Sequence, residues 1–146
     1  CVLDMHLMLQ KEVVDRLAAK PGAKLYGRLG IMAQYYCAVE PLFIVPPEAF
    51  DPIPKVDSAI VRLTPYREKP HVASCLKTLE NVVKTSFSMR RKTLRNNLKK
   101  MIDAEQLEAL GINPTRRPET LSLPEFISIA DFIASTHPTT TDKTDD

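Results

Sequence analysis

From Asn81 to Ile102 the chain carries Lys84, Arg90, Arg91, Lys92, Arg95, Lys99 and Lys100, and no Asp or Glu. The stretch reads as helical, and Arg91, Arg95 and Lys99 fall at i, i+4 and i+8. They would stack on one face, where like charges mildly destabilise an isolated helix. No carboxylate is interleaved to relieve the repulsion. The polar residues between the cations, Ser86, Ser88, Thr93, Asn96 and Asn97, are of the types that hydrogen-bond phosphate and sugar. Two readings follow: a surface that holds phosphates, or a solvated charged face. Spacing does not choose between them, nor between RNA and DNA.

A second candidate is Phe50, set among Pro46, Pro47, Pro52 and Pro54. Proline removes backbone donors and fixes φ, so "VPPEAFDPIPKVDS" reads as a stiff, shaped loop. Read from the residues alone, its aromatic ring is a core residue beneath the loop. Lys55 and Ser58 either bind phosphate or brace the same loop. Tyr26, Gly27 and Arg28 form another loop, read either as lying near a substrate, with Gly27 supplying a positive φ, or as a plain turn. Gln10, Lys11 and Glu12 follow the first strand and either line a pocket at the end where ligands gather in open α/β sheets or play a structural role. Tyr35 and Tyr36 read as core residues that each need a hydrogen bond, and Arg116 and Arg117 have no evident role.

Other chemistry is poorly represented. His6, His71 and His137 show no metal-ligand spacing, so no metal is expected. Cys1, Cys37 and Cys75 are widely spaced and odd in number, which fits reduced thiols and a cytoplasmic setting. No apolar run approaches the length of a membrane span, and no membrane partner is expected. The formal net charge is only +2 over 146 residues, so the basic cluster is a local feature that bears on a partner. The chain opens on "CVLDMHLMLQ", neither Met nor a polar leader, and is expected to be a fragment beginning inside a fold.

The elements that must position these residues can be read from periodicity. Val2 to Leu9 is nearly all apolar and predicts a strand buried on both faces. Val13, Val14, Leu17 and Ala18 predict a helix stopped at Pro21-Gly22. Leu29, Met32, Ala33 and Tyr36 mark the packed face of a second helix. Val39 to Val45 predicts a strand, placed at a sheet edge by Pro41, and Ala59 to Thr64 another. "YREKPH" (Tyr66 to His71) reads as a connector. Beyond it, Val72, Cys75, Leu76, Leu79, Val82, Val83 and Phe87 form one helical stripe, and Leu94, Leu98, Met101 and Ile102 a second. Asp103 with Gln106 predicts a capping box on a short helix ending at Gly111. Ser122 with Glu125 predicts another, on a helix burying Phe126, Ile129, Ala130 and Ile133. The expected class is α/β plus α: residues 1–66 in a sheet domain, 67–136 in a small helical domain, and 137–146 a disordered tail.

Five blocks, "MLQKEVVDRL", "YGRLGIMAQYYC", "FDPIPKVDSAIVRL", "MRRKTLRNNL" and "GINPTRRPETLSLPEF", occur here in an order and at gaps that resemble the KsgA-type small-subunit ribosomal RNA adenine dimethyltransferases. The resemblance covers nearly all of the chain except the tail. It implies the last three strands of a class I methyltransferase (Rossmann-like) sheet, the seventh antiparallel between the fifth and sixth, followed by the helical domain. It implies an enzyme that transfers methyl groups from S-adenosylmethionine to two adjacent adenosines in the 3′-terminal hairpin loop of small-subunit ribosomal RNA, with a role in ribosome biogenesis. The family's glycine-rich cofactor loop and "NLPY"-type catalytic motif precede the first block and have no counterpart here. No catalytic or cofactor-binding residue is therefore expected in this chain, and no bound S-adenosylmethionine.

Carried over residue by residue, the resemblance makes Phe50 the ring that holds the target base. It makes Arg90, Arg91 and Lys92 the patch that contacts ribosomal RNA, with Lys84, Arg95, Lys99 and Lys100 as extensions. A monomer that binds the immature small subunit is expected, and the chain alone is expected to bind RNA without methylating it. Three alternatives remain: a non-catalytic RNA-binding or ribosome-assembly module, a large-subunit adenine methyltransferase of the macrolide-resistance type, and, weakest, a DNA-binding helix without a helix-turn-helix partner.

Overall fold

In a computed structural model of the chain, the described residues are 4–49, 52 and 55–136. They form two compact units that divide between Pro70 and His71. Phe50 and the tail lie outside the described residues.

The first unit contains strand β1 (Met5–Gln10), helices α1 (Lys11–Ala18) and α2 (Arg28–Tyr36), strand β2 (Cys37–Val45), a 3-10 turn (Pro47–Ala49) and strand β3 (Ser58–Pro65). The sheet order is β1-β3-β2, and β3 is antiparallel to both neighbours. Alternation along β3 sends Ala59, Val61 and Leu63 to one face, where Val14 of α1, Leu9 and Val39 join them in a core. On the other face Arg62 reaches across to Glu40, its register partner, with Nη2 to Oε2 at 2.8 Å. That hydrogen bond holds the Glu40 carboxyl below its usual range. β2 lies at the edge, as Pro41 requires, and its register slips between Pro41 and Phe43.

Two expectations fail here. β1 is not buried on both faces: Met5, Leu7 and Met8 are 38%, 38% and 52% exposed. Among the described residues it pairs on one side only, and only its Leu9 joins the core. The packed face of α2 is also not the one its large apolar residues mark. Leu29 and Tyr36 are exposed, whereas Gly30, Ile31 and Tyr35 are buried. The cause is a close helix contact. A β-carbon on Gly30 would stand 2.3 Å from the Arg16 carbonyl oxygen. One turn on, the Gln34 side-chain amide donates to the carbonyls of Leu17 (2.8 Å) and Ala19 (2.9 Å), satisfying acceptors at the end of α1. α1 stops before Gly22, which has φ of +91°.

The second unit contains α3 (Leu76–Ser86), α4 (Leu94–Asn97), α5 (Ala104–Ala109), a 3-10 turn (Pro118–Thr120) and α6 (Leu123–Thr136). α3 packs on α6. Leu79, Val82, Leu94, Leu98, Leu107, Leu121, Phe126 and Ile129 are all fully buried in its core. The predicted stripe of α3 holds from Leu79 onward, but Val72 precedes the helix and is exposed. Both capping boxes form. Asp103 accepts from the Gln106 backbone while the Gln106 side chain accepts from Asp103 N–H. Ser122 N–H donates to Glu125 Oε1 at 2.9 Å, and Glu125 N–H to Ser122 Oγ at 3.4 Å. Gly111, at φ +80°, turns the chain after α5.

Candidate nucleic-acid interface

The helix expected to stack Arg91, Arg95 and Lys99 on one face does not form. Residues 87–92 are turns, α4 is a single turn, and residues 98–101 are turn again. Arg91, Arg95 and Lys99 therefore do not stack along one helix. Mutual repulsion of like charges disfavours such a helix. Leu94 and Leu98, both fully buried, anchor only the middle of the segment to the core. α4 is held from outside by backbone bonds: Leu94 N–H donates to the Arg116 carbonyl (2.8 Å) and Arg95 N–H to the Pro114 carbonyl (3.0 Å). No sequence signal marks that contact.

Lys84 lies in the last turn of α3, where a cation complements the helix dipole. Arg90, Arg91 and Lys92 occupy the turns, Arg95 is on α4, and Lys99 and Lys100 follow it. Lys84, Arg91, Lys92, Arg95, Lys99 and Lys100 are exposed, and none forms an ion pair among the described residues. Arg90 is half-buried, with its guanidinium 5.4 Å from the Phe87 ring centre, a cation–π geometry.

Two open recesses meet on this segment. One, of about 480 Å³, is lined by Ser88, Met89, Arg90, Arg91 and Lys92. The other, of about 450 Å³, is lined by Ser88, Met89, Lys92, Asn96, Asn97 and Lys99. Lys84, Arg95 and Lys100 line neither. The polar residues sort unevenly. Ser88 and Asn96 reach the surface, but Ser86 is fully buried and the Thr93 hydroxyl is buried without a partner. Ser86 and Thr93 are therefore not available to bond a phosphate at the surface.

Other candidates have local roles. Tyr26 is a core residue, 1% exposed, so it does not face a substrate; Arg28 beside it is exposed. Gly27 is extended at φ −173°, not at positive φ. Tyr35 is buried, whereas Tyr36 is 40% exposed, and both rings have the Lys69 ammonium within 6 Å, at 5.8 and 5.7 Å. Lys11 bonds Asp15 at 2.9 Å, and that bond raises its pKa. Ser58 begins β3 opposite Gln10 and Val45, and Lys55 is exposed. Arg116, to which sequence assigned no role, pairs with Glu125 at 2.6 Å and also bonds the Thr120 carbonyl. The described residues contain no group of three or more His, Cys, Asp or Glu that could hold a metal, and no helix long and apolar enough to cross a membrane.

An antiparallel β1-β3-β2 sheet with its helices, followed by a helical unit with an exposed basic segment, is the C-terminal portion of a class I RNA methyltransferase fold. The chain belongs to the ribosomal RNA adenine dimethylase family, whose model matches residues 2–135. It is 62% identical over 130 residues to the ribosomal RNA small subunit methyltransferase A of Marinomonas sp., covering 89% of this chain and 49% of that protein. The Vibrio cholerae protein of the same name is 57% identical over 138 residues, covering 94% and 51%. The chain thus spans about half the length of the curated relatives it matches. Among solved structures, a dimethyladenosine transferase from Plasmodium falciparum superimposes with a TM-score of 0.73 at 26% identity, covering 86% of this chain and 55% of that one. The 23S rRNA methyltransferase ErmE superimposes at 0.65 and 20% identity, covering 89% and 54%, a likeness of fold alone.

Proposed function

We propose that this chain is the RNA-gripping portion of an S-adenosylmethionine-dependent enzyme that dimethylates two adjacent adenosines of small-subunit ribosomal RNA. The observation that carries this reading is the basic segment. Lys84, Arg91, Lys92, Arg95, Lys99 and Lys100 are exposed and, among the described residues, have no carboxylate partner, in a chain whose net charge is only +2. Exposed, unneutralised cations gathered on one segment attract phosphates and gain affinity by releasing the counterions that RNA carries. Such contacts fix the position of the enzyme and leave sequence unread, which suits a substrate known by its shape. The helical unit is thus the RNA-binding domain, and the small ribosomal subunit in assembly is the partner.

Phe50 belongs to the base-holding step. An adenosine drawn out of its stack needs an apolar face to replace the one it loses, and aromatic stacking supplies about 1–3 kcal/mol. The prolines around Phe50 lower the cost of ordering the loop. S-adenosylmethionine, bound elsewhere in the intact enzyme, supplies the methyl group. The residues present here do not fit that cofactor. The chain has no Gly-x-Gly. At the C-terminal end of β1, Gln10 is exposed and the Lys11 ammonium is taken by Asp15. No step is derived through the cofactor in this chain.

The chain should bind a transcript of the 3′-terminal small-subunit hairpin, with affinity that falls steeply as salt rises. It should transfer no methyl group when incubated with labelled S-adenosylmethionine and immature small subunits. Label incorporated above background, or binding indifferent to salt, would overturn this reading.

A further inference from the structure

We propose that Asn97 is a positioning residue for RNA binding: its carboxamide folds the Ser86–Lys92 loop and so sets where Arg90, Arg91 and Lys92 stand. This rests on the proposed role of those cations. The Asn97 Nδ2 donates to the carbonyls of Ser86 and Met89, each at 2.9 Å, and approaches that of Lys92 at 3.5 Å. These acceptors bracket the three cations. The side-chain orientation is fixed by chemistry, because turned round, Oδ1 would face carbonyl oxygens. Asn97 is itself held by its place on α4. Its N–H bonds the Thr93 carbonyl at 3.0 Å, and its helix is anchored by the buried Leu94 and Leu98 and by the Arg116 and Pro114 carbonyls. A line of support therefore runs from the core through α4 and Asn97 to the loop.

The loop needs this support. Arg91 and Lys92 repel each other and, among the described residues, meet no carboxylate. The carbonyl of Ser86, which ends α3, and those of Met89 and Lys92 in the loop all turn toward one amide, and Met89 also accepts from Lys92 N–H at 2.9 Å. Without the amide, the loop would sample open conformations, and RNA would have to order it on binding. Reordering the loop's backbone on binding opposes association, so losing the clamp should weaken binding about tenfold. The number of phosphates finally contacted would not change, and neither would the salt slope. A cation that touches phosphate behaves differently, because removing it lowers affinity and slope together.

The test uses the full chain, the hairpin transcript and two variants. Asn97→Ala removes the amide. Asn97→Leu keeps much of its shape without a donor, for the case in which the alanine variant does not fold. The expected result is a folded chain with faster amide hydrogen exchange across residues 87–92, about tenfold weaker RNA binding and a salt slope equal to wild type. Unchanged exchange or unchanged affinity overturns the proposal, as does a reduced slope, which would make Asn97 a direct contact. Loss of folding in both variants overturns it too, placing the role in the core. Arg91→Ala/Lys92→Ala, measured alongside, separates the two readings. If that variant keeps the wild-type slope, it is the RNA-binding reading itself that fails.

Discussion

Glu125 sits at the meeting of three local demands. It completes the capping box of α6 with Ser122, pairs with Arg116 at 2.6 Å, and is partly buried. Burial pushes its carboxyl pKa up, but the hydrogen bonds from Arg116 and Ser122 outweigh that and hold it below the ordinary 4.5. As pH falls, the unfolded chain therefore takes up this proton first. The stabilisation is complete above about pH 4.5 and is lost as pH drops through the lower folded value. Glu125→Gln should lower the melting temperature near neutral pH. The gap to wild type should close as the pH is taken from 4.5 down through the lower folded value. A gap that stays constant across a thermal-melt series would mean that the ion pair is not the source. Nothing in the sequence predicted the Arg116 pairing, because it joins a turn to a helix nine residues on and leaves no periodic mark.

Gly30 on α2 makes the corresponding point for elements. Replacing a glycine inside an exposed helix with alanine normally gains about 1 kcal/mol. Here the added carbon would lie 2.3 Å from the Arg16 backbone carbonyl, and backbone cannot rotate away as a side chain can. The clash should win. Gly30→Ala is expected to destabilise the first unit by on the order of 1–3 kcal/mol in denaturant unfolding, against a gain if α1 and α2 were loosely packed. Periodicity found both helices and all three strands, because local alternation of apolar residues records which face is covered. It chose the wrong face of α2 because the contact is made by a glycine and a glutamine, neither of which carries an apolar signal. It overextended the basic segment for the opposite reason. Leu94, Leu98 and Ile102 are core residues at helical spacing, yet the backbone between and around them is closed by partners from residues 114 and 116. The cations of the candidate site could be read directly from the sequence; the fold of the loop that carries them could not.

For the whole molecule, the two units divide the work unequally. The sheet unit leaves Met8, Phe43 and Ile44 more than half exposed, and the helical unit buries Leu94 and Leu98 beneath its basic segment. The relatives named as methyltransferases are about twice this length, and our proposal assigns this chain the grip on the RNA. The most direct test is the salt dependence of hairpin-transcript binding by wild type and Arg91→Ala/Lys92→Ala. Each phosphate contact contributes about 0.7–0.9 to the slope of log K against log salt. The account predicts that the double variant binds more weakly and loses about 1.5 from that slope. A slope unchanged from wild type would show that these cations do not touch RNA, and the central claim would be wrong.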